Sequence, residues 1–351
     1  MVSPHAEDDS AGVDVVILTA LPLEEQAVVR ALGDCSAHPW RGRTLRIGRV
    51  DGLRVLVFPM NGMGNVGSAE TATRVIGVWN PAHLLVVGIA GGARRAGDGP
   101  QLGDVLVADQ VVGHELGKAR PDGVERRYEV YRPDPRLLAA AHGLAPRDWA
   151  LEAAVPRPDG ETGRVIPRAL FGPVFAGEKV LADEATLEGL RSHWPKAVGA
   201  EMEGLGVAVA SHRGGPGFLM AKAVSDFADT AKDDDWQPYA AETAARFAVA
   251  VLRNASLQAR PERPQALPTT VPVLFPGPVK VQVCRRLHDD WEEVADLFDV
   301  PRHHRARFRP GNEPRDLWEW LEAREKLATL PDLLAGIGRD DLVRIMRPPT
   351  P

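Results

Sequence analysis

A chain of 351 residues is long for one core and comfortable for two domains, and its 44% hydrophobic and 26% charged content is that of a globular protein. The formal net charge of −6 excludes a general attraction to nucleic acid or anionic membrane, although a short basic pair such as Arg94-Arg95 can hold a small anion. Two distant cysteines, Cys35 and Cys284, exclude a disulfide scaffold, argue against a zinc site and suit a reducing cytoplasm, and no apolar run is long enough to span a bilayer.

Residues 1–12 lack the basic and apolar regions of a signal peptide and read as a disordered lead-in. Val13–Leu18 is a β-branched run that predicts a buried strand, and Pro22 marks the first turn of an amphipathic helix ending near Gly33. Glu24 therefore falls at a helix N-terminus directly after a central strand, where the helix dipole alone already favours a carboxylate. Thr44–Val50 and Leu53–Phe58 form a hairpin around Asp51-Gly52. The stretch Met60-Asn61-Gly62-Met63-Gly64-Asn65-Val66-Gly67 is a Gly-rich turn into a helix, open either to ligand approach or to tight packing.

His83–Val87 predicts a second central strand that empties into a small-residue loop, Gly88–Gly92, and Gly103–Ala108 predicts another strand. From Val112 to Val155 the pattern loosens into loops with one helix at Pro135–His142. Pro173–Leu181 reads as strand and loop, and Asp183–His193 as a helix. A strand near Val198, a helix from Glu203, a strand to Ala223, an acidic loop and a last helix from Gln237 to about Leu257 complete the alternation. Repeated strand–helix alternation predicts an α/β domain over residues 13–257. Nothing in it matches a P-loop or a dinucleotide fingerprint.

Residues 258–278 are a Pro-rich linker, extended and non-helical. Beyond it, residues 279–347 predict six short helices whose Trp291, Leu317, Trp318, Leu321, Leu330, Leu334 and Leu342 recur at helical spacing, as a small core requires.

The strings ILTALPLEEQAV, MNGMGNVGSA, VVGIAGG followed by GDVLVAD, AGEKV, AEMEG and AVSDFAD occur in one order from Val13 to Leu257. Together they resemble the purine nucleoside phosphorylase and nucleosidase superfamily, in particular methylthioadenosine/S-adenosylhomocysteine nucleosidases. The resemblance implies a three-layer α/β/α fold with a central mixed sheet, no cofactor and no metal. It implies that Glu24 positions and deprotonates the attacking water. Glu203 accepts hydrogen bonds from the ribose hydroxyls, with Met202 against the sugar, and Asp226 protonates the purine at N7. Val180 stands where the backbone grips the base, and Ile89, Ala90 and Gly91 fall on the nucleophile side. Gly64, Glu201 and Ser225 complete the expected substrate-binding set.

Breaking an N-glycosidic bond needs a neutralised leaving base, a stabilised oxocarbenium-like sugar and a nucleophile, tasks that parallel those of paired glycosidase carboxylates. Each general acid or base is worth about 10²–10⁴-fold. Asp226 acts as an acid only if burial or neighbouring carboxylates, with Asp229 and Glu201 as candidates, raise its pKa. Phosphorylases of the superfamily hold phosphate with an arginine and a serine where this chain has Val86 and Ile89, so water is the expected nucleophile. Ile89 also departs from the hydroxyl residue that many nucleosidases carry.

The helical tail resembles death-like domains of bacterial conflict proteins, through Asp290–Ala295, Leu317–Leu321 and Gly338–Leu342. Such domains join like to like through charged surfaces, here supplied by Arg285, Arg286, Asp289, Asp290, Arg302, Arg305, Arg307 and Arg309. The combination implies a purine nucleosidase, with ATP among its possible substrates, acting as a signal-controlled defence effector. A homodimer or higher homo-oligomer and a protein partner for the death-like domain are expected; no nucleic acid or membrane is. A silent nucleoside-sensing adaptor and a phosphate-dependent phosphorylase are the alternatives.

Overall fold

The structure, a computed structural model, describes residues 12–60, 62–94, 97–120, 123–150, 154–161, 164–179, 184–227, 234–259, 275–306, 308–309, 311–322, 324 and 326–347. It divides into two compact units, residues 1–263 and 264–351.

In the first unit the strands are β1 Val15–Thr19, β2 Cys35–Trp40, β3 Arg43–Val50, β4 Leu53–Pro59, β5 His83–Gly92, β6 Val105–Gly113, β7 Gly117–Arg120, β8 Gly123–Arg126, β9 Glu129–Tyr131, β10 Ala169–Ala176, β11 Gly199–Glu201 and β12 Gly217–Asp226. The helices are α1 Pro22–Leu32, α2 Asn65–Trp79, α3 Pro135–His142, α4 Glu184–Arg191, α5 Gly204–Gly214 and α6 Gln237–Asn254. The large sheet runs β11-β10-β6-β12-β5-β1-β4-β3-β2, with β9 beside β6. It is mixed: β1 lies parallel to β4 and β5, and β12 parallel to β5 but antiparallel to β6. Because β11 pairs with both β10 and β5, five strands close on themselves around the ends of β5 and β12.

The continuous apolar runs follow from burial on both faces. In β1, Val15 and Ile17 enter a core shared with α1, α3 and α6, while Val16 and Leu18 enter a second core shared with α2 and α5. Alternation along the strand thus fixes a three-layer α/β/α arrangement.

Four departures from the sequence reading matter. β5 does not end at Val87 but continues through Gly88–Gly92, so Ile89, Ala90 and Gly91 are strand residues. β12 likewise runs on to Asp226, held against Gly91 after a register shift. The stretch from Val112 onward contains β9 and the β7–β8 hairpin where loops were expected. The unpredicted β2 is an edge strand, a setting in which a proline such as Pro39 is tolerated.

The second unit packs α7 Gly277–Leu287, α8 Trp291–Leu297, α9 Arg302–Arg305, α10 Glu313–Glu322, α11 Leu330–Gly336 and α12 Asp340–Met346 around Val283, Leu317, Trp318, Leu321, Leu334 and Leu342. Several charges expected to face a partner are engaged internally. Arg305 bonds Asp296 and the carbonyls of Ala295 and Val300, Arg309 forks onto Asp316, and Asp290 meets Arg339. Arg285, Arg286 and Arg302 remain exposed, and Arg307 lies outside the described residues. Among the described residues no helix is long and apolar enough to cross a membrane.

Candidate active site

A cavity of about 380 Å³ opens where the strand ends of the closed portion of the sheet meet α1 and α6. Carboxyl ends of parallel strands are where open α/β sheets place ligands. Glu24, Ile89, Ala90, Gly91, Glu201, Met202, Glu203, Ser225 and Asp226 all line it. Gly64 does not, but its amide donates to Glu203 Oε1 at 3.1 Å. Val180 lies outside the described residues, as do Asp229 and Arg95.

Glu24 owes its placement to the turn between β1 and α1. As the third residue of a Pro-initiated helix it reaches back to the unsatisfied amides of the helix entrance. Its Oε2 accepts from Ala20 N at 2.7 Å and Leu21 N at 2.9 Å, and Oε1 accepts from Ile89 N at 2.9 Å. Gly88 makes that last contact possible, because a Cβ there would fall on the Glu24 carboxylate. Burial raises the pKa of Glu24 above the usual carboxylate range, opposed in part by Lys222 and the three amides.

The second cluster sits where β11 passes into α5. Glu201 accepts from Glu203 N and Gly204 N, each at 2.9 Å, capping the entrance of α5. Ser68 of α2 donates to the Glu203 carbonyl at 2.8 Å, which locks the turn from the opposite side. Asn65 adds a tie between α2 and α5, its Oδ1 accepting from Gly206 N at 3.1 Å.

Lys222, absent from the sequence reading, stands between these groups. Its ammonium is 2.6 Å from Glu203 Oε2 and 3.0 Å from Glu201 Oε2, and the residue is only 2% exposed. Burial works against its charge, but Glu203, Glu201 and Glu24 more than offset this and raise its pKa. For Glu203 burial pushes the pKa up, yet Lys222 and the Gly64 amide outweigh it and hold the group below its ordinary value. Glu201, fully buried, moves the other way: burial dominates over Lys222, and the neighbouring Glu203 charge adds to the rise. A lysine inside the apolar run Phe218–Val224 was the available signal, since lysine is buried only when paired.

At the end of β12, Ser225 Oγ donates to Asp226 Oδ2 at 3.0 Å. Arg94 lays its guanidinium 4.1 Å from the ring centroid of the adjacent Phe227. Met63, Lys179, Asp234 and Gln237 complete the rim, and Met63, Asp234 and Gln237 were not predicted as site residues. Among the described residues no cluster of His, Cys, Asp and Glu has the arrangement of a metal site.

Comparison with known proteins agrees with the fold. The Phosphorylase superfamily model matches residues 14–253, and the Bacterial Death-like domain 3 model matches residues 277–348. ATP nucleosidase Cap17 of Escherichia coli is 28% identical over 277 residues, covering 70% of this chain and 52% of that protein, so the chain spans about half of that relative's length. The 5′-methylthioadenosine/S-adenosylhomocysteine nucleosidase of Chromohalobacter salexigens is 27% identical over 246 residues, 68% of this chain and 94% of that one. Among solved structures, the Neisseria meningitidis 5′-methylthioadenosine/S-adenosylhomocysteine nucleosidase with methylthio-immucillin-A superposes with a TM-score of 0.54 at 21% identity, covering 68% of this chain and 98% of that one. Helicobacter pylori futalosine hydrolase gives 0.54 and 21%, covering 68% and 97%. At that identity the likeness is one of fold. With a family model spanning the whole α/β unit, the chain belongs to the phosphorylase superfamily, and it carries a bacterial death-like domain behind that unit.

Proposed function

We propose that this protein hydrolyses the N-glycosidic bond of a purine nucleoside or nucleotide and releases the free base, adenine being the base that its relatives' names favour. One observation carries the reading: Glu24, Glu203 and Asp226, far apart in sequence, line a single cavity with Lys222 between the two glutamates' sites. Water against Glu24 gives up a proton to the carboxylate as its oxygen bonds C1′. The C1′–N9 electron pair leaves with the purine, which takes a proton at N7 from Asp226. Glu203, kept ionised by Lys222, accepts hydrogen bonds from the ribose hydroxyls while positive charge develops on the sugar, and Met202 packs beneath the ring. The raised pKa of Glu24 brings its basicity closer to what water deprotonation near neutral pH requires.

Water is the nucleophile in this scheme. Val86 is buried in the core and Ile89 is apolar, so neither offers a phosphate a donor, and Lys222 is already shared by two carboxylates. A 5′-phosphorylated substrate such as ATP draws support from Lys179 on the rim and from the relative named ATP nucleosidase. The protein acts as a homodimer or larger assembly. Met63, Val66 and Leu116 are 58%, 77% and 54% exposed, Val66 and Leu116 next in sequence to the hydrogen-bonded Asn65 and Glu115, and they offer apolar side chains to a second copy. The death-like domain recruits a protein partner, and the whole is a cytoplasmic defence effector that depletes a purine pool on signal. Both cysteines are free thiols, as a reducing compartment maintains.

Incubation of the purified protein with ATP, adenosine and methylthioadenosine, with released adenine quantified, tests the substrate. Reaction of 5′-uncharged substrates alone would exclude the nucleotide version, and binding of all three without base release would favour a sensor.

A further inference from the structure

Asp234 and Gln237 line the cavity and hydrogen-bond each other at the entrance of α6. This entrance follows closely on Asp226 in sequence, and what fixes it comes from a distant stretch. Arg157, 8% exposed, places its guanidinium 5.0 Å from the Trp236 ring centroid and 5.3 Å from that of Tyr239, the two rings meeting edge to face. In its own plane the same guanidinium forks onto Asp159, Nε to Oδ1 at 3.1 Å and Nη2 to Oδ2 at 2.8 Å. Asp159 is tied in turn by Glu161 N at 3.1 Å. A planar cation can fork a carboxylate with its edge while an aromatic ring covers its face, which an ammonium cannot do.

Tyr239 carries the restraint inward. Its ring packs against Gly103, where a Cβ would come within 2.6 Å of Cε1. Gly103 N donates to Val224 O at 2.8 Å, and its carbonyl accepts from Thr243 Oγ1 at 3.2 Å. Arg157, Tyr239, Gly103 and Val224 therefore form an unbroken set of contacts from the 154–161 segment to the strand end that bears Asp226.

We infer that Arg157 is a positioning residue, clamping the first turn of α6 so that Asp234 and Gln237 close the mouth over bound substrate. It touches neither water nor base in the scheme above, so it governs substrate binding rather than the bond-breaking step. The kinetic part of this inference rests on the nucleosidase reading; the clamp itself does not.

The test compares the wild-type protein with Arg157→Met and Arg157→Lys by adenine release and by amide hydrogen exchange. In Arg157→Met, KM rises about tenfold while kcat stays within about twofold, the signature of lost binding rather than lost chemistry. Arg157→Lys lies between, because it keeps the charge and loses the fork. Exchange quickens at amides 240–244 in Arg157→Met and is unchanged in the second half of α6. A fall in kcat at constant KM, or exchange that is unchanged or quickened uniformly across the domain, overturns the inference. If the wild type releases no adenine, the nucleosidase reading fails, and the exchange pattern alone decides the clamp.

Discussion

Lys222 and Glu203 form the closest charged contact in the cavity, 2.6 Å between Nζ and Oε2, with both side chains under 5% exposed. The pair joins the middle of β12 to the entrance of α5, and the same ammonium reaches Glu201. A buried charge left without its partner is far costlier than the pair is stabilising.

Lys222→Met should therefore destabilise the α/β unit by about 3–5 kcal/mol at neutral pH in urea unfolding, with Lys222→Arg much milder. The pH dependence has a definite sign. In the wild type Glu203 has a depressed pKa, so its contribution is present at neutral pH and lost as pH falls through that value. In the variant the stranded carboxylates recover by taking protons as pH falls, so the gap between the two proteins narrows toward acid.

Glu24→Gln should lower kcat by about 10²–10⁴-fold, as expected for loss of a general base. A base works only when deprotonated, and burial raises the pKa of Glu24. The acid limb of the wild-type kcat profile should consequently lie at higher pH than an ordinary carboxylate would give, and be absent from the residual activity of Glu24→Gln. A limb at the ordinary carboxylate position would count against Glu24 as the base.

Gly88→Ala tests the same group without touching it. The added methyl occupies the place of the Glu24 carboxylate beside Ile89 N. Activity should fall by at least about tenfold, with circular dichroism preserved; unaltered kinetics would show that the Glu24–Ile89 contact does not matter.

Val66→Glu addresses assembly. Val66 is 77% exposed in the first turn of α2, beside the cavity residue Met63. If a second copy covers this face as proposed, a charge there should shift the protein toward monomer in sedimentation and lower kcat/KM. An unchanged oligomer would place the interface elsewhere.

Much of this was readable in the sequence because the relevant signals are local. The β-branched run of β1 and the Pro-started helix after it place Glu24 by themselves, and the AEMEG string puts Glu201 and Glu203 on a helix entrance. What was not readable depends on partners remote along the chain. Lys222 looks anomalous in an apolar strand until two glutamates from another element surround it. Gly88–Gly92 resembles a loop because glycine carries no strand signal, yet pairing with β12 and β11 extends it. β2, with Ser, His and Pro, lacks alternation and forms only because β3 offers it an edge.

Adenine release in phosphate-free buffer, by the wild type and by Glu24→Gln and Asp226→Asn, measures most directly whether these carboxyl groups direct water at a purine-bearing sugar. The expected result is stoichiometric adenine and free sugar from the wild type, unaffected by added phosphate, with each variant slowed by about 10²-fold or more. Release that requires phosphate and yields a sugar 1-phosphate, or variants as fast as the wild type, would contradict the account.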